Sequence, residues 1–194
     1  VAADVLEGDR LAALLDALAR HGKARRAIGL TAGATARLDL ERGWLQILDG
    51  GPVLVLDAEG ASLNARRKAY EDVRLHWLEA GDQFGWDSGL MQFVARKVRM
   101  EGGPPRADAT LPDAFAADAL PTLVRRVAST ERGRAFTAQA GTHVLALSSD
   151  DRTIAFRSLD AKGASETMTD AEIEAARTYS LWSALLSLKP VDSK

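Results

Sequence analysis

Cysteine is absent from this chain, which removes disulfides, thiol nucleophiles and thiolate metal sites together and leaves the redox compartment open. An excess of charge of one sign is lacking too. A formal net charge of -2 gives no global pull toward nucleic acid or an anionic membrane, so each basic patch is judged locally. No apolar run approaches the roughly 20 residues that span a bilayer, and no basic start leads into an apolar stretch as a signal peptide would. A cytoplasmic location is the expectation, and the start at Val1 rather than Met leaves a removed leader open. The three histidines, His21, His76 and His143, have no mutual ligand spacing, so no metal and no cofactor are expected. Phosphate-binding loops, dinucleotide fingerprints and the G-x-S-x-G elbow are all missing. With no cluster of His, Asp and Glu to specify a reaction, the chain reads as a protein that is not an enzyme.

What is there is an ordinary globular composition. The 194 residues are 46% hydrophobic and 27% charged, enough to bury a proper core in one large or two small domains. Leu11, Leu14, Leu15 and Leu18 recur at helical spacing between Asp9 and His21, and Gly22 is a plausible stop. Four short apolar stretches follow, Ala27–Ala32, Thr35–Leu40, Trp44–Asp49 and Val53–Asp57, separated by Glu41-Arg42-Gly43 and Gly50-Gly51-Pro52 turns. Such short connections predict an antiparallel meander. From Ser62 to Ala80 the spacing of Leu63, Tyr70, Val73 and Trp77 predicts a helix, and a shorter helix is predicted over Ser88–Met100. The run Glu101 to Arg106 is the clearest breaker in the chain.

The order then repeats. Leu120, Val124 and Val127 suggest a helix with Pro121 in its first turn, and Arg134–Gln139, Thr142–Ser148 and Arg152–Ser158 read as strands. Thr169 with Glu172 is a capping-box pattern, and Ile173, Ala176, Leu181, Ala184, Leu185 and Leu188 carry a predicted final helix to Pro190. Leu56–Ser62 and Leu159–Ser165 differ only at Glu59/Lys162, and Thr35, Leu38 and Leu40 match Thr142, Leu145 and Leu147. Fold class is therefore α+β: two related helix-plus-antiparallel-meander units with extra helices in the middle, sharing one sheet or packed as pseudo-twofold halves. Residues 1–100 form the first unit with its following helices, 101–112 a linker and 113–194 the second unit, with packing as one domain left open.

Two kinds of contact residue stand out. Phe84 and Trp86 lie on a loop between carboxylates, and Tyr179 and Trp182 lie off the apolar stripe of the last predicted helix. All four are candidate partner-binding aromatics, with plugging of the core as the competing role for the loop pair. Arg20, Lys23, Arg25 and Arg26, with Arg66 and Arg67, are the candidate anion- or nucleic-acid-binding cations. Cations in a helix's last turn are ordinary dipole complements, and the negative balance puts nucleic acid behind protein as a partner.

Residues Leu6 to Gly51 resemble the PATAN domain of bacterial signalling proteins, on the leader ending in Gly8, the helix with Leu11-Ala12-Ala13-Leu14-Leu15, the strand Ala27-Ile28-Gly29-Leu30 and the pair Ala36–Gly43 and Trp44–Leu48. Residues 120–158 fit more loosely, with Gly133-Arg134-Ala135-Phe136 in place of the first strand. The resemblance implies a non-enzymatic regulatory or protein–protein interaction module and brings no catalytic residues. A homodimer joined through the last predicted helix is the expected assembly. A nucleic-acid-associated protein and a secretion-chaperone-like peptide binder are the alternatives.

Overall fold

In the computed structural model, two amphipathic helices and two antiparallel sheets make a mixed α+β fold, described for residues 1–93, 96–103, 110–161, 167–169, 172–173 and 177–191. The helices are α1 (Arg10–Arg20) and α2 (Ala119–Ser129), where sequence periodicity places them. Leu11, Leu14, Leu15 and Leu18 are the buried stripe of α1. Leu120, Leu123, Val124 and Val127 are that of α2, whose Pro121 sits in the first turn, where no intrahelical N–H is needed.

The strands expected before residue 60 all form: β1 (Arg26–Leu30), β2 (Thr35–Asp39), β3 (Trp44–Asp49) and β4 (Val53–Asp57). They do not form a meander. β1 pairs β4, from Arg26↔Asp57 to Leu30↔Val53, while the β2–β3 hairpin leaves for a second sheet. The cause is β4, whose five residues are all buried and need neighbours on both faces. The chain crosses itself where the hairpin departs: Gly50 has φ +83°, and a Cβ there would stand 1.9 Å from the Gly33 carbonyl oxygen.

Both middle helices are corrected to strands. The segment after Ser62 is β5 (Ser62–Asn64) and β6 (Ala69–Leu78), and it continues into β7 (Gln83–Gly85). The second predicted helix gives β8 (Met91–Gln92) and β9 (Lys97–Arg99), with residues 94–95 outside the described set. The last predicted helix is corrected as well. Thr169 and Glu172 do form their reciprocal cap, but the chain then runs as a 14-residue strand, Arg177–Pro190, through the middle of the sheet.

One physical cause covers the two long errors. In β6, Tyr70, Val73, Leu75 and Trp77 all enter the same core, although Tyr70 and Val73 are three apart. Asp72, with φ 57°, is an inserted residue that shifts the alternation by one. In the final strand Ser183, with φ 62°, does the same between Leu181 and Ala184. A three-residue apolar step made by a bulge imitates a helical turn.

The remaining strands are β10 (Ala135–Ala140), β11 (His143–Ser148), β12 (Ile154–Ala161) and β13 (Arg177–Pro190). β10 and β11 form a hairpin, and β11 and β12 both lie along β13 rather than along each other. Among the described residues the large sheet therefore runs β1-β4-β6-β13-β11-β10, with β5 beside β6, β12 beside β13 and β9 beside β12. Strands from both halves share it. The small sheet runs β2-β3-β7-β8.

Leu54 and Leu56 of β4 join α1, α2, β6 and β13 in the main core, whereas Val53 and Val55 face Leu45, Ile47 and Phe84 of the small sheet. Alternate residues point to opposite faces, so the helices cover one side of the large sheet and the small sheet covers part of the other. The matched stretches Thr35–Leu40 and Thr142–Leu147 fall in different sheets, and residues 162–165 of the other match lie outside the described set. Of the expected linker, residues 104–109 also lie outside it.

Candidate interaction surface

Of the two aromatics expected on a loop, Phe84 lies in β7 instead, and both pack into the core between the sheets. Phe84 is 0% exposed, tilted against His76 with ring centroids 4.8 Å apart, and Arg26 lies 5.5 Å from its ring centre. Trp86 packs half-buried against the same cluster, while its backbone N–H donates to the Gly43 carbonyl at 2.6 Å. Tyr179 is buried beneath Arg125, and the half-buried Trp182 donates its indole N–H to the Gly89 carbonyl at 3.2 Å. The contact through a terminal helix is corrected with that helix, since β13 is held between β6 and β11.

The candidate cations are separated and partly neutralised. Arg20 donates to Asp16 at 2.6 Å, Arg25 lies 4.0 Å from Glu59, and the half-buried Arg26 donates to Asp57 at 2.6 Å. Lys23 is exposed after α1, whereas Arg66 and Arg67 are exposed in the β5–β6 turn. Three of the six thus have carboxylate partners.

Two polar clusters that sequence reasoning missed are buried. Lys97 Nζ donates to Asp82 Oδ1 at 2.5 Å and to Ser180 Oγ at 2.6 Å, and Ser180 Oγ donates to Asp82 Oδ2 at 2.5 Å. Serine beside lysine is a nucleophile pair in some hydrolases. Here Asp82 and Ser180 are 0% exposed, so no substrate reaches the hydroxyl, and the cluster pins β9 and β13 to the loop before β7. In the second cluster His76 is 4% exposed and its Nδ1 accepts the Ser183 N–H at 3.3 Å. Burial, opposed by Asp57 and reinforced by Arg26 and Arg74, pushes its pKa down to about 4. Neither cluster has a sequence signal: their members lie 15 to 107 residues apart.

A cleft of about 470 Å³ opens between α1, the start of β6 and the β10–β11 turn. Asp9, Asp16, Lys68, Tyr70, Phe115 and His143 line it. Tyr70 donates its hydroxyl to Asp16 Oδ1 at 3.1 Å, and burial followed by that bond pushes its pKa up to about 12. The Arg20 hydrogen bond holds the Asp16 carboxyl below the usual range. No group of three or more metal-ligating side chains occurs among the described residues. No helix among them is long and apolar enough to cross a membrane.

The strand edges differ in how they are finished. At the outer edge of β1, Ala2 bridges Gly29, with Ala2 N donating to the Ile28 carbonyl and Leu30 N to the Ala2 carbonyl. At the outer edge of β10, Leu111 does the same against Ala138. β9 covers part of β12. β2 has no such cover among the described residues, pairing β3 alone. It is five residues long and carries the 37% exposed Leu38, with the 81% exposed Leu40 just past its end. Leu48 and Leu90, also in the small-sheet region, are exposed too. A free edge next to apolar side chains is a template for another strand.

Directly opposed residues share a face, so Leu38, Leu45, Phe84 and Met91 form the inward row and Arg37, Gln46, Gln83 and Gln92 an outward one. Arg37 donates to Gln46 Oε1 at 3.1 Å, and Asp39 Oδ1 accepts the N–H groups of Glu41 and Arg42, which fixes the hairpin turn. The alternation of Thr35–Leu40 announces this strand in the sequence, but its edge position depends on non-local pairing. No family model, curated protein or solved structure matches this chain.

Proposed function

We propose that the chain is a non-enzymatic protein–protein interaction module of bacterial regulation, and that it recognises its partner along the free edge of β2. The carrying observation is that edge: a strand uncovered among the described residues, with Leu38 on it and Leu40 just beyond it, where the β1 and β10 edges each hold a bridging residue.

Support comes from the arrangement of the two halves, which we read as related units about a pseudo-twofold axis between β6 and β13. The stripe Leu11, Leu14, Leu15 and Leu18 recurs 109 residues later as Leu120, Leu123, Val124 and Val127. The bonds Ala2 N to Ile28 O and Leu30 N to Ala2 O recur at the same interval as Leu111 N to Thr137 O and Gln139 N to Leu111 O. In that reading the β2–β3 hairpin is an addition, since β10 and β11 are joined by a tight turn at Gly141. An element outside the repeated frame is a natural place for recognition. The resemblance of residues 6–51 to PATAN domains favours a regulatory role.

The test compares the immobilised chain with a Leu38→Ser/Leu40→Ser variant of unchanged melting temperature. Wild-type chain is expected to retain a defined protein from a bacterial lysate, and the variant to lose it. Identical retention by both chains overturns the assignment to β2.

A further inference from the structure

We propose that the partner at this edge is a second copy of the chain, joined by antiparallel pairing of β2 with its own mate about Leu38. The inference rests on reading the β2 edge as the recognition surface. The sequence Ala36-Arg37-Leu38-Asp39-Leu40 is complementary to itself in that register. Arg37 of each copy stands opposite Asp39 of the other, Leu38 meets Leu38, and Ala36 meets Leu40. The two ion pairs fall on the outward face with the Gln46–Gln83–Gln92 row. The leucines extend the inward row that ends at the 37% exposed Leu38 and cover the 81% exposed Leu40.

The registers one residue to either side, and parallel pairing in register, are disfavoured by charge. A shift that centres the pair on Arg37 or on Asp39 sets like charges directly opposite, and parallel pairing in register sets Arg37 beside Arg37. Backbone geometry is compatible with the Leu38 register in either phase. Antiparallel pairing about a single residue brings positions of the same parity together, so the outward N–H and C=O groups of one strand meet those of the other. The four-stranded small sheet then continues across the twofold axis as one sheet of eight strands.

Sedimentation velocity of the full chain over a micromolar to millimolar series tests this with four proteins: wild type, Arg37→Asp, Asp39→Arg and the double reversal. Wild type is expected to pass from monomer to dimer as concentration rises. Each single reversal loses two attractive pairs and gains two repulsive ones, weakening the dimer on the order of ten- to a hundredfold. The double reversal, and an equimolar mixture of the two single variants, restore it. Because Asp39 also holds the hairpin turn, hydrogen exchange of the wild-type β2 amides provides a readout free of substitution. Protection that grows with concentration supports the pairing. A chain monomeric throughout, or a dimer indifferent to both reversals, overturns it. A monomer whose lysate capture still depends on Leu38 and Leu40 removes the self-pairing and leaves the interaction role, whereas a monomer with no such capture removes both.

Discussion

Asp72 and Ser183 occupy the same situation on the two central strands. Each is left-handed, at φ 57° and 62°, and each donates its backbone N–H at 3.3 Å to a side chain on the other strand: Asp72 to Ser187 Oγ and Ser183 to His76 Nδ1. The bulges therefore carry their own bonds. His76→Leu leaves the buried Ser183 N–H without its acceptor, and a loss of about 1–3 kcal/mol is expected from urea unfolding. His76→Gln, which offers an acceptor oxygen, is expected to recover part of it.

The same histidine makes stability depend on pH. Its folded pKa of about 4 lies below the ordinary 6.5 because burial disfavours the cation, with Arg26 and Arg74 adding to the effect and Asp57 opposing it. As pH falls through 6.5 the unfolded chain binds a proton there that the folded chain does not take until about pH 4. Stability is thus fully present above pH 6.5 and declines across that window, by up to about 3 kcal/mol from this group alone. Unfolding curves at pH 7, 5.5 and 4 check it. A wild-type decline no steeper than that of His76→Gln would contradict the assignment.

The buried pair of Asp82 and Lys97 predicts a strongly non-additive double-mutant cycle. Lys97→Met leaves a fully buried carboxylate without its cation, at an expected cost of about 3–5 kcal/mol. Lys97→Met combined with Asp82→Asn removes both charges while Asn still offers an oxygen to Ser180 and to the Glu79 N–H. The double variant is expected to be more stable than the sum of the single losses, measured by urea denaturation. Additive losses would show that the two charges act independently.

Particular residues show why some of the fold was legible in the sequence and some was not. Leu11, Leu14, Leu15 and Leu18 mark α1, and alternation in Thr35–Leu40 marks β2, because each pattern is local and uninterrupted. Tyr70 and Val73, or Leu181 and Ala184, are separated by a bulge, and the three-residue step carries the helical period into a strand. The departure of the β2–β3 hairpin from β1 and β4 turns on pairing across 31 residues between Arg26 and Asp57, which no local pattern records. The free edge of β2 follows from that departure. The strand itself could be read in the sequence, but its exposure could not.

Phe84 and Leu40 give the last prediction, since both are large apolar residues of the small-sheet region in opposite settings. Phe84 is 0% exposed between the sheets, so Phe84→Ala removes transfer energy and opens a cavity, at an expected cost of about 3–5 kcal/mol. Leu40 is 81% exposed, and Leu40→Ser is expected to change monomer stability by no more than about 0.5 kcal/mol. Unfolding at a low, monomeric concentration measures both. If association then weakens in Leu40→Ser while its monomer stability holds, the exposed leucine is kept for a contact and the buried aromatic for the fold. A Leu40→Ser loss comparable to that of Phe84→Ala would instead place Leu40 in the protein's own core and remove the reason to regard the β2 edge as open.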